Sequence, residues 1–162
     1  MAAKYTDKEI ASFLAERKPL AADFMQSIRL RERRGHKEQE LRIARPEGGE
    51  FRLILRQSAQ DPLDFSIIVG LLPAGSNQLF RLRRYNGRSH EHTNRIEGDR
   101  FYDFHIHTAT ERYQELGMRE DAYAEPSDRF SDLNSALRCM LEDCAFDMPR
   151  NPQRTLFEEA GR

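Results

Sequence analysis

The chain has 162 residues, of which 38% are hydrophobic and 33% charged, with a formal net charge of −1. That length fits one domain that buries roughly two-thirds of its unfolded surface, and the apolar share excludes global disorder. No apolar run approaches the roughly 20 residues of a membrane-spanning helix, and a near-neutral chain has no global field drawing it to nucleic acid.

The first residues, Met1 to Thr6, lack the apolar segment of a secretory signal. Cys139 and Cys144 are the only cysteines, which fits reduced thiols and a cytoplasmic location. No membrane partner is expected.

Thr6-Asp7-Lys8-Glu9 reads as a capping box. A hydroxyl at the N-cap and a glutamate three residues on satisfy each other's main-chain donors. Ile10, Phe13 and Leu14 follow at helical spacing, so a helix is expected from Asp7 to about Arg17, ending before Pro19. Pro19 to Met25 reads as a connector or a second short helix.

The period then changes to two. Ile28 and Leu30, Leu41 and Ile43, Phe51, Leu53 and Leu55, then Phe80 and Leu82 alternate with arginines or other small or polar residues. Turn signals separate them at Arg33 to His36 and Pro46 to Gly49. Phe65 to Leu72 is an apolar run suited to a central strand. Asn86-Gly87 carries the signature of a tight hairpin turn, and a last strand is expected from Phe101 to about Thr108. Thr108-Ala109-Thr110-Glu111 reads as a second capping box opening a helix to Leu116, with Gly117 as its C-cap. Tyr123 to Pro126 reads as a loop. Phe130, Leu133, Leu137, Met140, Leu141 and Cys144 make the apolar stripe of a helix from about Phe130 to Ala145.

These elements predict an α+β fold. A five- or six-stranded antiparallel sheet carries a short N-terminal helix, and a C-terminal helix packs on its apolar face. Residues 1–148 make one domain, and 149–162 a polar, flexible tail. The strand arginines face Glu38, Glu40 and Glu50 in the sequence, and cross-strand ion pairing is the simplest use for them.

Four of the five histidines, His90, His92, His105 and His107, fall within 18 residues as two H-x-H pairs. Residues two apart on a strand share a face, so His105 and His107 point together with Asp103, while Tyr102, Phe104 and Ile106 point into the core. If the segment around His90 and His92 pairs across the turn from Arg95 to Arg100, four imidazoles and a carboxylate converge.

Three uses compete. In the first, His105 and His107 act as acid and base on a phosphodiester, since neutral histidine titrates near pH 6.5. His90 and His92 then position the phosphate, and Arg84 and Arg112 offset its charge. In the second, His90, His92, Asp103, His105 and His107 hold a transition metal such as zinc. In the third, the histidines are hydrogen-bonded members of a polar sheet face. No cofactor is required by the first or third.

His90-Glu91-His92 with Glu97 has the H-x-H-x4-E spacing of the first cupin motif, without a matching second motif. Arg84-Tyr85-Asn86-Gly87, His90-Glu91-His92-Thr93, Phe104-His105-Ile106-His107 and Thr110-Glu111-Arg112-Tyr113, with Tyr123-Ala124-Glu125-Pro126 and Leu137-Arg138-Cys139, resemble an uncharacterised family of small bacterial proteins, a domain of unknown function, over about Phe51 to Phe146. The resemblance implies a bacterial, cytoplasmic setting and no particular activity. Asn86 followed by the four histidines is also similar in general pattern to toxins of bacterial toxin–antitoxin pairs.

The leading expectation is an RNA- or nucleotide-directed, ribonuclease-like protein. The alternatives are a non-catalytic regulator, antitoxin-like or self-associating, and a metal-binding protein. From Ser27 to Arg112 there are 16 Lys and Arg against 12 Asp and Glu, and from Tyr113 onward 6 against 11. That opposition of charge motivates a protein partner or self-association.

Overall fold

The computed structural model describes residues 3–28 and 30–147. Helix α1 (Asp7–Ala15) opens on the expected capping box, in which Thr6 accepts from the Glu9 amide and the Glu9 side chain accepts from the Thr6 amide. The chain then forms β1 (Lys18–Pro19), α2 (Phe24–Ser27), β2 (Arg31–Arg33), β3 (His36–Ala44), β4 (Glu50–Ser58), β5 (Phe65–Leu72) and β6 (Phe80–Asn86). There follow β7 (His92–Thr93), β8 (Arg100–Phe101), β9 (His105–Thr108), α3 (Glu111–Glu115), β10 (Ala124–Pro126), α4 (Leu133–Asp143) and β11 (Phe146–Asp147).

The main sheet has seven strands in the order β10-β9-β6-β5-β4-β3-β2, all antiparallel. The fold class is the expected α+β, with more strands than five or six. The apolar run Phe65–Leu72 is the central strand. Cross-strand partners share a face, so Leu55, Ile67, Tyr85 and Ile106 form one row across the sheet. That face carries the core. Helix α4 lies on it with Ala136, Leu137, Met140 and Leu141 buried, and α1 adds Ile10 and Leu14.

On the opposite face the arginines of β3 and β4 are paired. Arg52 reaches Glu50 at 2.9 Å and Glu40 at 3.2 Å, and Arg56 lies 3.5 Å from Glu38. The expected cross-strand ion pairing is therefore present on β3 and β4.

Several local expectations are corrected. Asn86-Gly87 is not a hairpin turn. Asn86 ends β6, and the Gly87 amide donates to Phe65 O at 2.9 Å, extending the pairing with β5. Glycine is needed there for space, because a Cβ would meet Leu63 O at 1.8 Å.

The strand expected from Phe101 begins only at His105, and β10 and β11 follow it. Arg100–Phe101 instead pairs with His92–Thr93 as a separate two-stranded ribbon. The second helix cap is Thr110, two residues later than expected, because Thr108 is held in the sheet opposite Arg83. Tyr123 to Pro126 is not simply a loop. Its last three residues form the edge strand β10, a position that tolerates proline. Helix α4 is shorter than expected at both ends, starting at the Asp132 cap. The parallel pair β1–β11 was not anticipated. The tail from 149 onward lies outside the described residues.

Candidate functional site

Two cross-strand rows on the face away from α4 build the site. One runs Ser66, Asn86, His105, Pro126, and the next Ile68, Arg84, His107, Ala124. Because β9 lies between β6 and β10, both its histidines stand on an interior strand. The β7–β8 ribbon folds over them. The His92 ring stacks on His105 at 5.4 Å between centroids and meets His107 edge-on at 4.8 Å. Phe101 closes the side at 5.6 Å from His105. His105 and His107 are left 1% and 3% exposed, so both are taken from water.

Each ring has one nitrogen committed to the protein. His105 Nδ1 lies 2.8 Å from Asp103 O, and His107 Nδ1 lies 2.8 Å from Asp121 O. A main-chain carbonyl only accepts, so both Nδ1 atoms carry the proton and both Nε2 atoms present lone pairs. His92 follows the same logic with the other nitrogen. Its Nε2 is 2.9 Å from Asn94 Oδ1, which also accepts from the Ala124 amide. The Asn94 Nδ2 donates to Ala124 O at 2.8 Å and to the Asp99 carboxylate, which fixes the amide's orientation. His92 therefore donates from Nε2 and leaves Nδ1 as its lone pair.

One ring nitrogen from each of His92, His105 and His107 lies within 4.8 Å of the others. His105 Nε2 is buried with no hydrogen-bond partner among the described residues. Such an orphan costs about 1–3 kcal/mol unless something meets it. Burial disfavours the charged rings, and neighbouring cations add to it. His105 is pushed down to about 4, chiefly by burial and further by His92. His107 is pushed down to about 2 by burial and then by Arg84.

The remaining expected site residues lie farther out. His90 is exposed at the rim, with its ring 6.4 Å from His105 and its Nδ1 bonded to Ser89 Oγ. Asp103 contributes its carbonyl, and its exposed carboxylate is not among the three clustered groups. Arg84 stands beside His107 and donates from Nε to Asp121 Oδ2 at 3.1 Å. Arg119 Nε lies 2.8 Å from Asp121 Oδ1 as an ion pair lacking hydrogen-bond direction.

Arg112 is elsewhere. It donates to Glu97 Oε2 at 2.7 Å and lies over the Tyr123 ring at 4.5 Å. Glu97 also accepts from the Tyr113 hydroxyl at 2.7 Å. The expected pairing of Arg84 with Arg112 around one phosphate is not assembled, and Glu97 does not join His90 and His92 as the cupin spacing implied.

Asn94, Asp121 and Ala124 were missed as supports of the site. Asn94 sits two residues after His92 in a ribbon, and Asp121 lies 14 residues beyond His107. The 14-residue offset has no periodic signature, and the two-residue one could be read only once the ribbon at His92 was known.

His92 and His107 border a cleft of about 440 Å³ whose wall also includes Arg84, Asn86 and His90, while His105 lies behind it. A second hollow of about 570 Å³, lined by Arg83, Arg112, Arg129 and Asp143, contains no histidine. Its charges are largely committed, as in the Arg129–Asp143 pair at 2.8 Å. No helix among the described residues is long and apolar enough to cross a membrane. The chain matches no family model, no curated protein and no solved structure.

Proposed function

We propose that the protein is a metalloprotein in which His92, His105 and His107 hold one transition-metal ion, with its open side toward the cleft. The observation that carries this reading is the buried, partnerless Nε2 of His105 in a group of three histidines that bring one ring nitrogen each within 4.8 Å of one another. In metal sites a ligating imidazole donates its other N–H to a carbonyl, carboxylate or amide oxygen, which fixes tautomer and ring direction. His105, His107 and His92 do so through Asp103 O, Asp121 O and Asn94 Oδ1.

Three imidazoles suit zinc, iron, nickel or copper. For zinc, bonds of about 2.0–2.1 Å at a tetrahedral centre draw the nitrogens to about 3.4 Å apart. Three protein ligands leave one position for water or substrate, the pattern of reactive rather than purely structural zinc. A metal there would supply Lewis-acid activation of bound water at neutral pH.

The acid–base reading on RNA is less well supported. It needs one ring protonated while the other is neutral, yet both rings are buried without a carboxylate to stabilise the cation. Arg52 and Arg56, two of the strand arginines that would have offered an RNA surface, are engaged by Glu38, Glu40 and Glu50.

The test is metal content. Untagged protein purified without chelator, then dialysed against zinc, is expected to retain about one ion per chain by plasma mass spectrometry. His105→Ala and His107→Ala are each expected to lose it. Retention in both variants would sink the assignment.

A further inference from the structure

The cleft beside the histidines has a charge pattern that the metal ligands do not explain. Its wall carries three guanidinium groups, Arg84, Arg95 and Arg119, and no carboxylate. Behind the wall, Asp121 is fully buried and pairs with both Arg84 and Arg119, while Glu97, bonded to Tyr113, is balanced by Arg112. Three positive charges against one leave an excess of two.

The arginines are incompletely used. Arg84 spends Nε on Asp121, and its terminal nitrogens make no further hydrogen bond among the described residues. Its side chain is only 15% exposed, so the charge is held largely out of water at the cleft wall. Arg95 is exposed and has no hydrogen bond or ion pair with another described residue.

A neutral donor points to the same ligand class. Asn86 is 5% exposed and lines the cleft. Its Oδ1 accepts from Ser66 Oγ at 3.0 Å, while its Nδ2 has no partner among the described residues. The sheet register sets Asn86 opposite His105 and Arg84 opposite His107. An unspent amide donor and unspent guanidinium donors therefore flank the two buried rings on one face. Tyr113 and Met118 make the less polar part of the wall.

We infer that this cleft binds a dianionic oxyanion, a phosphoryl group carried by a small molecule, between the guanidinium groups of Arg84 and Arg95 and the amide of Asn86. This rests on the reading of the three histidines as a metal centre, which would face one oxygen of the same group. Planar guanidinium forks match the oxygen spacing of phosphate, and a dianion matches the excess of two. A volume of about 440 Å³ leaves room beyond the phosphoryl group for a small organic portion.

Equilibrium dialysis of labelled inorganic phosphate against the zinc-treated full chain tests the inference, with metal content measured on the same samples. Arg95→Ala is the informative variant, because Arg95 is exposed and its loss leaves the core untouched. Saturable phosphate binding is expected, weakened about tenfold or more in Arg95→Ala, as for loss of one charge-assisted hydrogen bond, with metal content unchanged. Acetate is expected to compete at least tenfold less well.

No saturation by phosphate, or equal affinity in the variant, overturns the anion assignment whatever the metal content. Acetate competing as well as phosphate overturns the phosphoryl assignment in favour of a carboxylate. Absence of metal with arginine-dependent phosphate binding overturns the metal reading alone.

Discussion

His107 and Asp121 are joined through the main chain: the ring's Nδ1–H donates to Asp121 O at 2.8 Å. The carboxylate of the same Asp121 holds Arg84 at 3.1 Å. One fully buried residue thereby orients a ring and anchors a cation at the cleft wall. Asp121→Asn is expected to cost about 3 kcal/mol of stability, because it strips the largely buried Arg84 guanidinium of its counter-charge. Urea unfolding measures this, and an unchanged midpoint would show that Arg84 is already satisfied by solvent.

Asn94 has a comparable double role, tying His92 to the edge strand through both of its amide atoms. Asn94→Ala leaves the Ala124 amide and carbonyl without their side-chain partner. A loss of about 2–3 kcal/mol follows from such orphaned groups, together with about 10–100-fold weaker zinc binding. Zinc titration by calorimetry separates the effects, since a purely structural Asn94 would lower stability and leave affinity intact.

The sheet was legible because its side chains repeat. Period-two patterns at Leu41, Phe51 and Phe80, and the apolar run from Phe65, report burial directly. His105 and His107 were legible for the same reason: Ile106 must face the core, so they must face away. The convergence of His92 was only half legible. His92 and Thr93 pair with Phe101 and Arg100 rather than with β9, so His92 arrives by folding of the ribbon over the sheet, and His90 stays at the rim.

Arg112 looked available in sequence because its partner, Glu97, lies 15 residues away in an irregular turn. Strand β10 was hidden by its proline and its brevity. Long-range main-chain contacts such as the Lys18 amide with Ala145 O leave no local trace at all.

Lys18 is fully buried, and its ammonium is bonded to the carbonyls of Phe13, Leu14, Glu16 and Cys144 at 2.7–3.1 Å. These lie at the C-terminal ends of α1 and α4, where helix dipoles favour a cation. Burial still pushes Lys18 down to about 8. Its folded value lies below its unfolded one, so between about pH 8 and 10.5 the unfolded chain binds more protons and this residue's contribution to stability rises with pH. The difference between wild type and Lys18→Met should therefore grow by on the order of 2–3 kcal/mol in favour of wild type from pH 7.5 to 10.5. Denaturant titrations at both pH values test the sign, and a constant difference would mean that the carbonyl cage keeps Lys18 charged throughout.

Gly87 brings the chain against Leu63 so closely that a Cβ would lie 1.8 Å from Leu63 O. Gly87→Ala must displace main chain just before the segment that carries His90 and His92. A destabilisation of about 2–3 kcal/mol is expected from overpacking of this kind. A thermal midpoint equal to wild type would contradict the tight approach.

The most direct test of the account is zinc stoichiometry measured side by side in wild type, His105→Ala, His107→Ala and His90→Ala. The three-ring centre predicts about one ion per chain in wild type and in His90→Ala, and none in the other two. No zinc, iron, nickel or copper retained by wild type after incubation with each, or retention that depends on His90 and not on His105, would contradict it.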